Sequence, residues 1–577
     1  MKEKIRTLKV DLQERKMQVE EKPISQLSIE EIMGGFGKAV HDIEAHLAIN
    51  PDLRDGYDPR NLMCVDVGFT SGSKLMTARR TVISGISPQK RSRAGTNGIY
   101  YSAASGDLGP AIRACNYDSM HFLNRSETPV YVVINNGSLS FEKAGELIGK
   151  SCDEKAVILC EKHKGAAVAV IGLAGENLVR YAGIVFSTQD QIRNKSKHIR
   201  FAGRGGMGAL MGSKNLQAIV VMGGNNHQDL GDVLELNKAI AKGKSTAKYR
   251  KWGTFFGNVE TVDGLGVGIH DNFSRGSDSK TGQLFREEVL NKGYTIKDKG
   301  CLGCGVKCWK EIGKDGQVLG KIDYEPGELL GPNLGINNLE QIMELIRLTD
   351  DYGLDSISTG VCLGYEMQQT GKLGDFEFAK NLIHAIARGE HALKEGLMIY
   401  SNSARNAMQV KGIEFAAYPG NTNPGYAFAI AGPHMSIDTY NGAWYTDPKT
   451  GEHAKNDVAE WIENIVRGPQ IMLYDMNGIC KFAKVSFDDV GKLFGIVYGQ
   501  KLSADELRTL TKKVNLRARL IDERLGFREE DDSLPDACHD DYGSQFLKHF
   551  NTRGFFAEVK KGVYERYREL QREFGLG

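Results

Sequence analysis

"FAGRGGMGALMGSKNLQAIVV", residues 201–221, is the stretch on which the fold reading turns. Its G-R-G-G-M-G core fits the spacing G-x-G-x-x-G. A dinucleotide fold also needs a strand directly before the glycines and an acid about twenty residues on, inside a second strand. Neither is present. A Walker A loop needs G-K-[ST], and here Gly212-Ser213-Lys214 runs the other way. What remains is Gly205, Gly206 and Gly208 beside Arg204, Lys214 and Asn215. Exposed backbone N–H groups with two cations suit a phosphate-bearing ligand. A turn-rich structural segment would have the same composition.

Outward from this stretch the two halves of the chain differ. Residues 1–215 read mainly as strands and turns. "VYVVINNG" (130–137), "AVAVIG" (167–172) and "QAIVVMGG" (217–224) are short apolar runs closed by turn residues. Beyond about residue 225, "NLEQIMELIRLTDDYG" (338–353) and "FEFAKNLIHAIARGEHALKEG" (376–396) place apolar residues three and four apart, as amphipathic helices do. The expectation is an α+β chain. A β-rich domain spans 1–215, and two largely helical domains span 216–410 and 411–577. No Pro/Ser linker and no solenoid period separates them.

Lys+Arg number 74 against 73 Asp+Glu, a balance that gives no electrostatic case for nucleic acid or an anionic membrane. No apolar run reaches the ~18 residues that span a bilayer. "MKEKIRTLKVDLQERK" (1–16) is too charged for a signal peptide. A reducing cytoplasm is therefore expected, where clustered cysteines bind metal more often than they form disulfides. Glycine, at 68 residues, is about 12% of the chain against a usual ~7%, which fits tight turns or close backbone approach.

"CLGCGVKC" (301–308) puts Cys301, Cys304 and Cys308 on one tight loop. A [4Fe–4S] cluster with a remote fourth cysteine, a structural zinc and unconnected buried thiols all remain open from the spacing. A second pattern bears on the fourth ligand. "DDYGLD" (350–355) and "DMNGIC" (475–480) share D-x-x-G-[LI]-x, each at the end of a helical or apolar run. The later copy ends in Cys480, a candidate partner for the trio. Cys64, Cys115, Cys152, Cys160, Cys362 and Cys538 are scattered and read mostly as small core residues.

In combination these segments resemble the tungsten-containing aldehyde:ferredoxin oxidoreductases. Residues 203–215 look like that family's G-R-G-G-x-G-[AS]-x-M-G-S-K-N segment. "IGLAGENLVRYAGI" (171–184), with Gly175, Glu176 and Asn177, is similar to its I-G-x-A-G-E-N segment. "SGDLGPAIRACNYD" (105–118), with Gly106, resembles its G-P…G-Y-D region. The two D-x-x-G copies match its paired pterin motifs. The likeness runs from "MGGFGKAV" (33–40) to "DDSLPD" (531–536), most of the chain.

The resemblance implies a tungsten or molybdenum atom held by two pterins, over a β-sheet base formed by the first domain. A [4Fe–4S] cluster would be held by Cys301, Cys304, Cys308 and Cys480. Asp350, Asp355 and Asp475 would face the pterins, since a carboxylate can accept paired hydrogen bonds from an aminopyrimidine edge. Arg80 would lie between the pterins. Phosphates bridged by Mg2+ would sit on the glycine-rich segment. Glu325 and His434 are the implied catalytic pair, oxidising an aldehyde to a carboxylic acid. Electrons would leave to ferredoxin or an iron–sulfur subunit. A homodimer is one implied assembly, and Glu344, His384 and His391 are loose candidates for its bridging metal. Tungsten-dependent aryl-CoA reductase subunits share the fold, and a non-catalytic iron–sulfur electron carrier is a further alternative. Several positions depart from the family pattern. Ala103 and Ala104 stand before Gly106, Arg79 stands beside Arg80, and "DDSLPDAC" lacks the family's arginine. "CHDDYGSQFLKH" (538–549) offers Cys538, His539 and His549 as a metal set but reads better as a charged surface segment.

Overall fold

The computed structural model describes residues 2–194, 199–420, 423–433, 457–468, 470–539 and 552–576. The first domain holds two six-stranded sheets. Strands β1 (Lys4–Asp11), β2 (Lys16–Pro23), β3 (Met63–Val67), β4 (Thr81–Arg91), β5 (Asn97–Ala104) and β6 (Ser119–Leu123) form the first, in the order β2-β1-β6-β3-β4-β5. Only its β1–β6 pair is parallel. Strands β7 (Val130–Asn135), β8 (Ser138–Lys143), β9 (Ala167–Val170), β10 (Ile184–Phe186), β11 (Arg200–Ala202) and β12 (Leu216–Met222) form the second, ordered β11-β10-β9-β12-β7-β8.

Strand composition follows position. Central β3 (MCVDV) is buried throughout, as a strand covered on both faces must be. Edge β2 (KMQVEEKP) is charged and ends in proline, which discourages further pairing. Between β7 and β8 the two-residue turn is Asn136-Gly137, both at positive φ (46° and 87°), as a tight hairpin requires.

The structure moves one expected boundary. Residues 216–222 are β12, seated between β9 and β7 in the middle of the second sheet. The first domain therefore runs past residue 222 and not to 215. The second region also contains a small sheet, β13 (Thr295–Lys299), β14 (Trp309–Lys314) and β15 (Gln317–Ile322), among its helices. Helical periodicity on both sides hid it. No helix among the described residues is long and apolar enough to cross a membrane.

Each D-x-x-G copy is a helix stop. Helix Leu339–Tyr352 ends at Gly353 in the left-handed conformation (φ 71°), and Asp355 then N-caps helix Ser356–Gln369 through Ile357 N and Ser358 N, both at 3.2 Å. Helix Ile471–Asn477 ends the same way at Gly478 (φ 88°). Asp350 and Asp475 thus sit in the last turn of a helix, where the backbone dipole disfavours a negative charge.

The C-terminal region returns to the first sheet. Asp522, on helix Ala504–Arg524, accepts from Ile99 N at 2.9 Å and from buried Lys90 Nζ at 2.5 Å. Nearby, Asp532 accepts from Lys411 Nζ (2.5 Å), Arg519 Nη2 (2.5 Å) and the Tyr564 hydroxyl (2.8 Å). Burial opposes the Asp532 charge, but Arg519 and Lys411 outweigh it and hold the carboxyl well below the usual range. A depressed carboxylate stabilises the fold above its unfolded pKa, near 3.9, and that contribution is lost as pH falls. Asp532→Ala strands two buried cations, so it should cost about 3–5 kcal/mol in denaturant unfolding at neutral pH. The difference from the parent chain should shrink under acid conditions.

Candidate functional site

A cavity of about 720 Å³ opens where the first domain meets both helical regions. It is lined by Cys301, Cys308 and Cys480, by Asp350, Asp355 and Asp475, and by Glu325. Segments hundreds of residues apart thus converge on a volume typical of a ligand site.

Both D-x-x-G motifs reach it by docking their backbones on the first domain. At the first motif, Leu354 bridges to Ala182, Asp355 N–H donates to Tyr181 O (3.0 Å), and Gly183 N–H donates to Gly353 O (2.9 Å). At the second, Ile479 bridges to Ala78, Cys480 N–H donates to Thr77 O (3.2 Å), and Arg80 N–H donates to Gly478 O (3.1 Å). The approach is too close for side chains. A Cβ on Gly172 would lie 2.3 Å from Tyr352 O, and one on Gly68 would lie 1.9 Å from the Asn477 carbonyl carbon.

The cysteine trio lies on the loop between β13 and β14. Cys304 N–H donates to Cys301 O at 2.9 Å, and Gly303, at φ 71°, lets the loop curl. Burial pushes the Cys304 thiol up to about 11 and Cys308 well above its usual value, and the neighbouring Cys301 and Cys480 add to both shifts. Four thiolates this close need cations to exist together. A lone zinc, with Zn–S near 2.3 Å, would draw its sulfurs to about 3.8 Å of one another. No three of these four sulfurs lie within 4.8 Å of one another. Arg200 stands beside them. Burial opposes its charge, but Cys301, Cys308 and Asp323 more than offset that.

Each motif acid has a cation. Asp475 Oδ1 lies 2.7 Å from Arg80 Nε, Asp350 lies 3.9 Å from Lys321 Nζ, and Asp355 lies 3.7 Å from Arg204 Nε. Burial raises the Asp350 and Asp475 carboxyls, with the nearby cations pulling the other way. Arg80, not Arg79, faces the cavity; Arg79 turns away to Asp107 (2.5 Å) and Gly106 O (3.1 Å). Arg204 Nε is buried without a hydrogen bond, while its other nitrogens hold Glu414 O and Pro433 O.

Glu325, in the first turn of helix Tyr324–Leu329, is partly exposed, and the space it meets is the cavity. Burial raises its pKa, opposed by Lys481 and Arg204. His434 lies outside the described residues.

Other predicted residues lie elsewhere. Lys214 Nζ is buried on the backbone carbonyls of Pro59 (3.1 Å), Asn61 (2.5 Å) and Asn124 (3.3 Å), and burial lowers its pKa to about 7. Asn215 donates to Ser126 O (2.7 Å). Glu176 pairs with Lys155 and Asn177 donates to Ala387 O. None of these four lines the cavity. The glycines have a packing reason instead. A Cβ on Gly208 would meet Gly183 O at 2.2 Å, and one on Gly212 would meet Gly175 O at 2.0 Å. Gly205 (φ 78°) and Gly206 (φ 68°) turn the chain against Tyr100 and Arg180, and Gly106 (φ 146°) packs on Phe186. Glu344 pairs with Lys380, His384 with the Tyr352 hydroxyl, and His391 caps Leu393 N. Cys538 is buried, and His549 is outside the described residues. Sequence reasoning missed Arg200, Asp323 and Lys481. Only Lys481, next to Cys480, carried a positional hint.

Two family models cover nearly the whole chain: "Aldehyde ferredoxin oxidoreductase, N-terminal domain" over residues 7–223, and "Aldehyde ferredoxin oxidoreductase, domains 2 & 3" over 233–569. The chain belongs to the aldehyde ferredoxin oxidoreductase family. Among curated relatives, a tungsten-containing aldehyde ferredoxin oxidoreductase of Pyrococcus horikoshii is 27% identical over 531 residues, 83% of each protein. The WOR-like subunit of an aliphatic sulfonate oxidoreductase of Pyrococcus furiosus is 28% identical over 550 residues, covering 86% of this chain and 81% of the relative. In fold, the chain is similar to a chain of the active-site complex of benzoyl coenzyme A reductase solved with 1,5-dienoyl-CoA. That likeness has a TM-score of 0.78 and 19% identity, over 99% of this chain and 97% of the other. Like other members of its family, the protein is an oxidoreductase.

Docking by glycine makes a direct prediction. In Gly68→Ala the new methyl meets backbone, which cannot swing aside, so the cost should reach the upper end of overpacking, about 3 kcal/mol or more. Gly145→Ala, with nothing within 4 Å of the added carbon, should be close to neutral in the same denaturation measurement.

Proposed function

We propose that the protein oxidises an aldehyde to a carboxylic acid at a tungsten or molybdenum bis-pterin centre. A [4Fe–4S] cluster held by Cys301, Cys304, Cys308 and Cys480 would supply the route for the two electrons to ferredoxin or an iron–sulfur subunit. The observation that carries this is the meeting, in one cavity, of three of the four clustered cysteines, both D-x-x-G carboxylates and Glu325.

The residues present fit such a group. Cys301, Cys304, Cys308 and Cys480 supply four soft donors for the cluster. Asp350 and Asp475, held at unfavourable helix ends, supply acceptors for two pterin edges. Arg80, beside Asp475 and Cys480, sits between the second motif and the cluster ligands. Arg204 and Lys321 offer cations for pterin phosphates with their Mg2+. The bound metal would accept two electrons from the substrate carbon.

The chain's own part is proton handling. Aldehyde oxidation consumes one water and releases two protons with two electrons. Glu325 faces the cavity without a hydrogen bond to its carboxylate among the described residues, so an ionised Glu325 is free to take a proton from water attacking the carbonyl. His434 keeps the role the family resemblance implies, hydrogen bonding to the substrate oxygen. A raised Glu325 pKa means the base is protonated, and the rate falls, at a pH above the ordinary glutamate value near 4.3.

Elemental analysis of protein purified anaerobically from its native host should find one tungsten or molybdenum and about four irons per chain. Assays with aldehydes and a viologen dye should show turnover. Glu325→Gln should keep the metals and lose at least about 100-fold in rate, the scale of general-base catalysis. Cys480→Ala should lose the cluster. Turnover of 1,5-dienoyl-CoA with none of any aldehyde would transfer the assignment to aryl-CoA reduction. Iron without tungsten or molybdenum would leave an electron carrier.

A further inference from the structure

A second cluster of metal-ligating side chains lies in the first domain, apart from the cavity. Cys64 on β3 and His121 on β6 are directly paired across the sheet. Helix Gly35–Ile49 packs over them and brings down Asp42. One ligand atom from each of Asp42, Cys64 and His121 lies within 4.8 Å of the other two. We propose that these three residues form a metal site for a single divalent ion of the zinc class, between this helix and the first sheet.

The donor set is one thiol, one imidazole and one carboxylate. Mixed sulfur and nitrogen ligands select zinc-like ions over magnesium or calcium. Burial holds His121 towards its neutral form, the form that ligates. His121 Nε2 is 3.0 Å from Asp42 Oδ2, and Lys38 Nζ bonds the same oxygen, which leaves Oδ1 for a metal. A modest contraction, from the present spacing to the ~3.5 Å between ligands of a tetrahedral ion, completes the geometry.

Asp66 is the independent observation. It lies two residues from Cys64 on the same face of β3 and is fully buried. Neither carboxylate oxygen has a hydrogen-bond partner. Ser119, paired across from it, favours its ionised form without reaching hydrogen-bond geometry. An unsatisfied buried carboxylate costs several kcal/mol unless something fills its need. As a fourth ligand, or through a bound water, Asp66 would gain that partner.

Charge balances as well. With no ion bound, Lys38 offsets the Asp42 charge. A dication that displaces one proton from Cys64 and one from Asp66 leaves the net charge unchanged, with Lys38 still on Asp42. The competing ammonium makes this a weaker site than a closed four-cysteine one. Asp42, the least buried of the three, marks the way in. The ion would brace the helix whose first turn lies against the second D-x-x-G motif, since a Cβ on Gly35 would sit 2.0 Å from Asp475 O.

The test is zinc content and zinc X-ray absorption on the anaerobic holoenzyme, dialysed against zinc sulfate and freed of loose ions. One zinc per chain with one sulfur and two or three nitrogen or oxygen neighbours is expected. Cys64→Ser and His121→Gln should each lower bound zinc at least tenfold. His121→Gln keeps a side chain able to donate to Asp42, so it decides the matter if Cys64→Ser fails to fold. Zinc absent from the parent chain, zinc surrounded by three or four sulfurs, or zinc retained in His121→Gln would each overturn the proposal.

Discussion

Backbone docking of the two D-x-x-G motifs on the first domain is the constraint on which the rest of the structure depends. The bridges Ala182–Leu354 and Ala78–Ile479 set where Asp350, Asp475 and Cys480 can stand. They form only because Gly68, Gly172 and Gly35 lack a side chain at the contact. Shift either motif by one residue and its acid leaves the cavity. The high glycine content therefore serves the site at one remove, by letting chain segments touch.

The cavity itself is electrostatically uncomfortable. It gathers carboxylates at the negative ends of helices, thiols in a low-dielectric wall and several cations to compensate. Arg80, Arg200, Arg204 and Lys321 each stand by an acid or a cysteine. Such crowding lowers stability in return for chemistry, and pKa values perturbed in a cleft mark functional sites more often than not. The second cluster, at Asp42, Cys64 and His121, has the same character on a smaller scale.

Much of this was legible in the residues, and what was missed has physical reasons. The paired D-x-x-G motifs and the cysteine spacing pointed to the convergence, because motif chemistry is local and survives any change in surroundings. The α+β order was legible from periodicity. Strand 216–222 was read as a strand, but the boundary at 215 cut it from its sheet, because an apolar run shows that a strand is buried and not which strands it pairs with. For Lys214, Asn215, Glu176 and Asn177, composition shows a polar group but not which way it faces. In the structure they satisfy buried backbone and side-chain partners. Gly172 and Gly183, in the segment 171–184, turned out to be the platform for the first D-x-x-G motif, a role no spacing rule would assign.

The return of helix Ala504–Arg524 to the first sheet has a consequence for biosynthesis. Its partners Lys90 and Ile99 emerge from the ribosome early, while Asp522 emerges late. At about 5–20 residues per second, the intervening roughly 400 residues take on the order of 20–80 s to make. For that interval the β4–β5 end of the first sheet lacks the helix that accepts from Lys90 and Ile99. Yield in a foreign host should then depend on translation speed and temperature before any cofactor is supplied.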